Sequence, residues 1–167
     1  TAILPRLSAH AAAGDLRSLG HTLVGALRSV LAVILPFAAL LPVLAPDLAN
    51  VLLGHAATRD NYGLYVPTMS LFGGGLVLFT LHYLMLRGFY ALEGTRTVFW
   101  IQCAVAVTNI VVAVAAVPRV SPLHTAPTLV GAYIPSYAVG AAVSWLVLSR
   151  ELGGLGSAEL LRYVVRL

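Results

Sequence analysis

Four long apolar runs, at about residues 23–45, 64–86, 98–117 and 128–149, constrain this chain more than any other feature. Each is about 20 residues or longer, enough for a helix to cross a hydrocarbon layer of ~30 Å. Between the second and third runs lies the interval 81–99, LHYLMLRGFYALEGTRTVF, which turns polar at Arg87 and apolar again after Thr97. So short a charged interval between two such runs reads as a hairpin joining two membrane-spanning helices, with its arginines and aromatic residues at the headgroup level. The expected fold is all-α: an integral membrane bundle of four transmembrane helices with amphipathic surface helices.

Composition agrees. Hydrophobic residues make up 59% of the 167 and charged residues only 10%, against about 25% charged in an ordinary soluble domain. All ten basic residues are arginine, and they are scattered singly rather than gathered into a patch. A nucleic-acid partner is therefore not expected. The one cysteine, Cys103, lies within an apolar run and reads as a small buried hydrophobe. The chain opens at Thr1 with no charged leader before an apolar core, and reads as a piece of a longer protein.

Along the chain, Gly14-Asp15 is placed to end one short helix and cap the next. Pro36 is expected to kink the first span, Pro42 and Pro46 to close it, and residues 47–54 to form a short interfacial helix before a polar loop. Gly73, Gly74 and Gly75 mark a point in the second span where the helix can bend or another backbone can approach. On the third span Gln102 and Asn109, seven apart, share a face; on the fourth, Tyr133, Tyr137, Gly140 and Ser144 do the same. Glycines 153, 154 and 156 end the last span, and residues 157–167 read as an amphipathic surface segment.

With four spans, both flanks and the 87–97 hairpin fall on one side of the membrane. That side carries Arg6, Arg17, Arg28, Arg87, Arg96, Arg150, Arg162 and Arg166, and the other only Arg59 and Arg119. The arginine excess puts the hairpin and both ends in the cytoplasm.

Chemistry-bearing patterns are sparse. The five histidines have no metal-ligand spacing, and neither a nucleophile elbow nor a phosphate-binding loop occurs. None of the six carboxylates lies deep in a span. Neither an enzyme nor a cofactor is expected. What remains is polar side chains at membrane depth. Gln102 and Asn109 either line a solute path or hydrogen-bond to neighbouring helices. Tyr133 and Tyr137 read as packing groups, and His82 as an interfacial histidine. Arg87 and Arg96 either set topology or meet the phosphates of an anionic lipid.

An ordered set of residues runs along the chain: Ala2-Ile-Leu-Pro-Arg-Leu-Ser8, Ala11-Ala-Ala-Gly-Asp15, Leu27-Arg28 leading to Leu35-Pro36, and Leu44-Ala-Pro46 with Val51-Leu-Leu-Gly54. Above all it includes Leu86-Arg-Gly-Phe-Tyr-Ala-Leu92 with Thr95-Arg-Thr97, and then Asn109 and Gly131. The set resembles the MurJ (MviN) family of lipid II flippases, in the multidrug/oligosaccharidyl-lipid/polysaccharide exporter superfamily. Members of the family have fourteen helices in two lobes and move a lipid-linked peptidoglycan precursor to the outer face of the membrane. The resemblance implies that this chain corresponds to the end of helix eight through helix twelve of such a carrier, in the bacterial plasma membrane. Its partners would be an undecaprenyl-linked lipid and the remaining helices of the parent. Arg87, Arg96, Gln102 and Asn109 are the candidate substrate-binding residues.

Two departures stand out. The family usually has Gly-Asp-Thr before Arg-Thr-Pro, where this chain has Glu93-Gly94-Thr95 before Arg96-Thr97-Val98. Some relatives hold sodium with an asparagine and a carboxylate one turn later on helix eleven, and a hydroxyl on helix twelve. Asn109 and Ser136 match the asparagine and the hydroxyl, but Ala113 stands at the carboxylate position. The alternatives to a lipid II flippase are another exporter of the same superfamily, for polysaccharide units or drugs, and a membrane anchor without transport activity.

Overall fold

The computed structural model describes residues 3–54 and 62–155. Its elements are α1 (Ile3–Ala12), α2 (Leu16–Leu53), α3 (Val66–Ala91), α4 (Thr95–Ala116) and α5 (Thr125–Glu151), with 3₁₀ turns at Tyr62–Tyr65, Val117–Arg119 and Pro122–His124. Among the described residues there is no strand. Helices α2 to α5, with the turns that flank them, are long and apolar enough to cross a membrane. The polar loop expected at 55–61 and the amphipathic tail at 157–167 lie outside the described residues.

Charges bracket each apolar length. Arg28 to Asp47 on α2 and Arg96 to Arg119 from α4 into its closing turn correspond to about 28 and 35 Å of helix axis. Much of the intervening surface points outward. Val33 and Val43 on α2 are each 71% exposed and Val114 on α4 is 67% exposed. Only 17–28% of the most apolar window of each long helix is buried within the chain. In water such a surface would be untenable; against hydrocarbon it costs nothing.

One expectation is corrected. Helix α2 does not close at Pro42 and Pro46, and residues 47–53 are its continuation rather than a separate interfacial helix. Each proline removes one amide donor and frees the carbonyl four residues back, a defect that membrane helices tolerate when a neighbouring helix meets the freed group. Pro42 frees the carbonyl of Ala38, and Gly73 of α3 is seated against that same oxygen: a Cβ on Gly73 would lie 2.6 Å from it. The glycine triplet thus serves close approach at Gly73, within an unbroken α3.

Packing is uneven along the bundle axis. Helix α3 packs chiefly on α2 and α5, and α4 chiefly on α5. The densest apolar core gathers at the hairpin end. There Leu7 of α1, Leu19, Leu23 and Leu27 of α2, Phe89 of α3 and Leu148 of α5 are almost fully buried. Gly88 makes room for two of them, with Leu148 and Leu23 side-chain carbons 3.1 and 3.3 Å from where its Cβ would be.

The hairpin itself is a tight reversal. The Gly94 amide donates to Phe89 O at 2.8 Å and the Glu93 amide to Tyr90 O at 3.2 Å, which together form a Schellman closure of α3. The same pair of bonds ends α1, with Gly14 at φ 68°, and α5, with Gly153 at φ 70°. In the hairpin that left-handed position is filled by Glu93, at φ 58°. It is the residue that stands where the resembled family has glycine.

Candidate functional site

The sequence-derived candidates fall at three depths from the hairpin. At the surface, Arg87 lies one turn before the end of α3 and Arg96 in the first turn of α4. Arg87 is half-buried. Its guanidinium donates to Tyr83 Oη at 3.3 Å and stands 5.1 Å from the centre of the Tyr83 ring, one turn earlier on the same helix. That contact props the charge at the helix end. Arg96 is exposed and adds its charge to the positive end of the α4 dipole. The Schellman turn brings the two arginines to one end of the bundle, where Arg17 of α2 and Arg150 of α5 also lie.

Also at this end, Asp15 caps α2 by accepting from the Ser18 amide at 3.0 Å. Hydrogen bonding from Ser18 holds the Asp15 carboxyl below the usual carboxylate range.

At the next depth, Gln102 is engaged. Its Oε1 is 3.2 Å from His82 Nε2, while Nδ1 of the same ring is 3.2 Å from Ser144 Oγ. The node ties α3, α4 and α5 together. His82 is therefore not an interfacial histidine: it is 1% exposed, as deep in the packing as Ser144 at 0%. Sequence reasoning missed this node and the glycine that admits it. A Cβ on Gly140 would stand 3.1 Å from His82 Nδ1 and 2.6 Å from Val105 Cγ2. A signal was present, since His82, Gln102 and Ser144 each lie five or six residues from the arginine flanking their span on the hairpin side.

Deeper still are Asn109 and Ser136. The Asn109 Nδ2 atom is buried without a hydrogen-bond partner. Ser136 is fully buried and donates to Ala132 O, one turn back on its own helix, at 2.6 Å. With Ala113 at the third position, two neutral groups are all that this set offers, one of them engaged by its own helix. A hard cation favours carboxylate oxygens, so the set as it stands does not fit a sodium ion. Among the described residues, no cluster of histidine, cysteine or carboxylate side chains could hold a metal.

Towards the end away from the hairpin, Phe72, Leu76 and Phe79 of α3 face Val130, Tyr133 and Tyr137 of α5 across an apolar groove of about 430 Å³. Tyr133 and Tyr137 stack at 6.0 Å, and Phe79 meets the edge of Tyr137 at 5.2 Å.

Among the described residues the arrangement offers arginines at one end of the bundle, a buried polar node, and no cluster of side chains that could hold a metal. Neither the curated proteins nor the solved structures contain a significant match to the chain. The family model described as "Lipid II flippase MurJ" matches residues 1–167. This chain, an all-α membrane-embedded helical bundle, belongs to the MurJ lipid II flippase family.

Proposed function

We propose that this chain is part of a carrier that moves an undecaprenyl-linked peptidoglycan precursor across the bacterial plasma membrane by alternating access. The observation that carries the reading is the match to the flippase family along the whole length of the chain. It is supported by the grouping of Arg87 and Arg96 at one end of an otherwise apolar bundle. In this reading the hairpin and both ends face the cytoplasm, where the pyrophosphate-bearing substrate is loaded. Arg87, braced by Tyr83, and exposed Arg96 attract the phosphates. Gln102 holds the helices together through His82, and the unpartnered amide of Asn109 meets an acceptor on the passing headgroup or on another helix of the parent. The remaining helices of that parent complete the cavity. No cation step is assigned to Asn109 and Ser136, because the set lacks a charged ligand.

The test is translocation of lipid II in proteoliposomes containing the intact protein that carries this sequence. Arg87→Ala and Arg96→Ala are expected to slow translocation, Arg87→Ala more because it also loses the brace from Tyr83. Asn109→Ala is expected to slow it with the fold intact. Rates equal to wild type in all three would leave these residues with topology and packing alone.

A further inference from the structure

The flippase reading gives His82 no task beyond packing, yet its ring is buried with both nitrogens engaged. The carboxamide oxygen of Gln102 can only accept, so Nε2 carries the ring hydrogen towards it at 3.2 Å. In the neutral ring Nδ1 then has a lone pair, and it takes the Ser144 hydroxyl hydrogen at 3.2 Å. The bare backbone of Gly140 leaves the space that the ring occupies. From α5 the titratable group facing the ring is the Tyr137 phenol, its ring centre 6.0 Å away; from α4 it meets the neutral Gln102. On α3 itself the nearest charge is Arg87, which is turned to Tyr83. On α2, which also packs on α3, the titratable and charged groups are Arg17, His21, Arg28 and Asp47; α3 and α4 contain no carboxylate, and α5 only Glu151 at its last residue.

We propose that His82 is a proton-binding site whose second proton loosens the junction of α3, α4 and α5. A proton from water adds to Nδ1 and the ring becomes a cation that donates from both nitrogens. Ser144 must then reverse, its oxygen accepting from Nδ1 while its hydrogen turns to a backbone carbonyl one turn back. The hydrogen bonds survive, but the ring's partners, Ser144 and Gln102, are both neutral and α3, α4 and α5 place no carboxylate beside it to balance the charge. A cation without a counter-ion between apolar helices is disfavoured relative to one that water can reach. Gln102 is the exposed member of the node, so the clasp is closed on its outer side by α4 alone. Acid therefore shifts the population towards an arrangement in which α4 stands off from α3 and α5. The clasp itself does not depend on what is transported; its use as a gate for loading or release rests on the flippase reading.

The experiment compares the intact protein with His82→Gln in lipid nanodiscs, because glutamine keeps one donor and one acceptor but cannot take the proton. Backbone hydrogen exchange over residues 79–86 and 140–148 is read as the ratio of wild type to variant at about pH 7.5 and about pH 5.5, the interval in which histidine changes charge. Taking the ratio cancels the intrinsic pH dependence of exchange. It is expected to be near one at the higher pH, and at the lower pH wild type is expected to exchange faster by roughly threefold or more. Ring ¹⁵N signals of wild type, assigned by their loss in the variant, should show the second bound hydrogen appearing together with the faster exchange. If His82→Gln does not fold, His82→Asn and the ring signals of wild type carry the test. A ratio that does not change with pH, or a His82 ring that never takes its second hydrogen, overturns the proposal whatever the translocation assay gives. A pH-dependent ratio in a protein that moves no lipid counts against the flippase reading alone.

Discussion

Replacing Gly140 by alanine is the sharpest perturbation that the packing offers. The added Cβ would stand 2.6 Å from Val105 Cγ2 and 3.1 Å from His82 Nδ1. Val105 is a β-branched residue on a helix, held to one rotamer, so it cannot swing away. Overpacking of this kind costs about 1–3 kcal/mol, and weakening the two His82 hydrogen bonds adds about 1 kcal/mol at membrane values. Alanine's better helix propensity returns up to about 1 kcal/mol. The net expectation is a loss of about 1–3 kcal/mol. Gly131→Ala is the internal control: it lies on the same helix, and its Cβ would meet nothing within 4 Å. It should gain propensity with no clash. Both are read by equilibrium unfolding of the intact protein in mixed micelles. Adding Val105→Ala should recover part of the Gly140→Ala loss, measured against Val105→Ala alone. Equal stability of the two glycine variants, or no relief from shortening Val105, would mean that Gly140 is not needed to seat His82 and Val105.

Other expectations follow from the same geometry. Gly73→Ala should destabilise the bundle by about 1–3 kcal/mol, because its Cβ would meet the Ala38 carbonyl at 2.6 Å and that backbone cannot yield without moving α2; Gly75→Ala, with open space around it, should not. Glu93→Gly should stabilise by about 0.5–1 kcal/mol, the relief of a left-handed residue less the added freedom of the unfolded chain, and unchanged unfolding would argue against strain there. Asp15 has its carboxyl pKa lowered by Ser18, so its capping contribution is complete above the ordinary carboxylate range and is lost as pH falls through the lowered value. Exchange of the Ser18 amide should therefore quicken in acid relative to Asp15→Asn, whose cap does not titrate; parallel behaviour would contradict this. Replacing sodium by choline should leave lipid II translocation unchanged, and a stimulation by sodium that Asn109→Ala removes would restore the cation reading.

The helices were legible in the sequence because apolar run length and charge bracketing are properties of single segments. Hence the 87–97 interval did emerge as the reversal between α3 and α4, and Gly14-Asp15 as the junction of α1 and α2. What escaped was pairwise. Hydropathy alone treats Pro42 as a stop; only the partner surface at Gly73 shows how the freed Ala38 carbonyl is accommodated. His82 read as interfacial because Arg87 is close in sequence, but its depth depends on Ser144 and Gln102, 62 and 20 residues away. The shared distance of all three from their flanking arginines could have suggested the node. Helical faces within one chain, by contrast, were readable: Tyr133 and Tyr137 do lie together, with Gly140 and Ser144 continuing inward. The conformation of Glu93 was not readable, since any residue but glycine at that position argues locally against the turn it adopts.

Everything functional in this account depends on which face of the membrane holds the arginine-bearing hairpin. The direct measurement is thiol labelling by a membrane-impermeant maleimide in right-side-out and inside-out vesicles. It uses the intact protein with Cys103→Ser and a single cysteine introduced as Thr95→Cys, at the exposed start of α4, or as Leu123→Cys, 65% exposed at the opposite end. With the hairpin in the cytoplasm, Thr95→Cys is expected to react only in inside-out vesicles and Leu123→Cys only in right-side-out ones. The reverse pattern would contradict it.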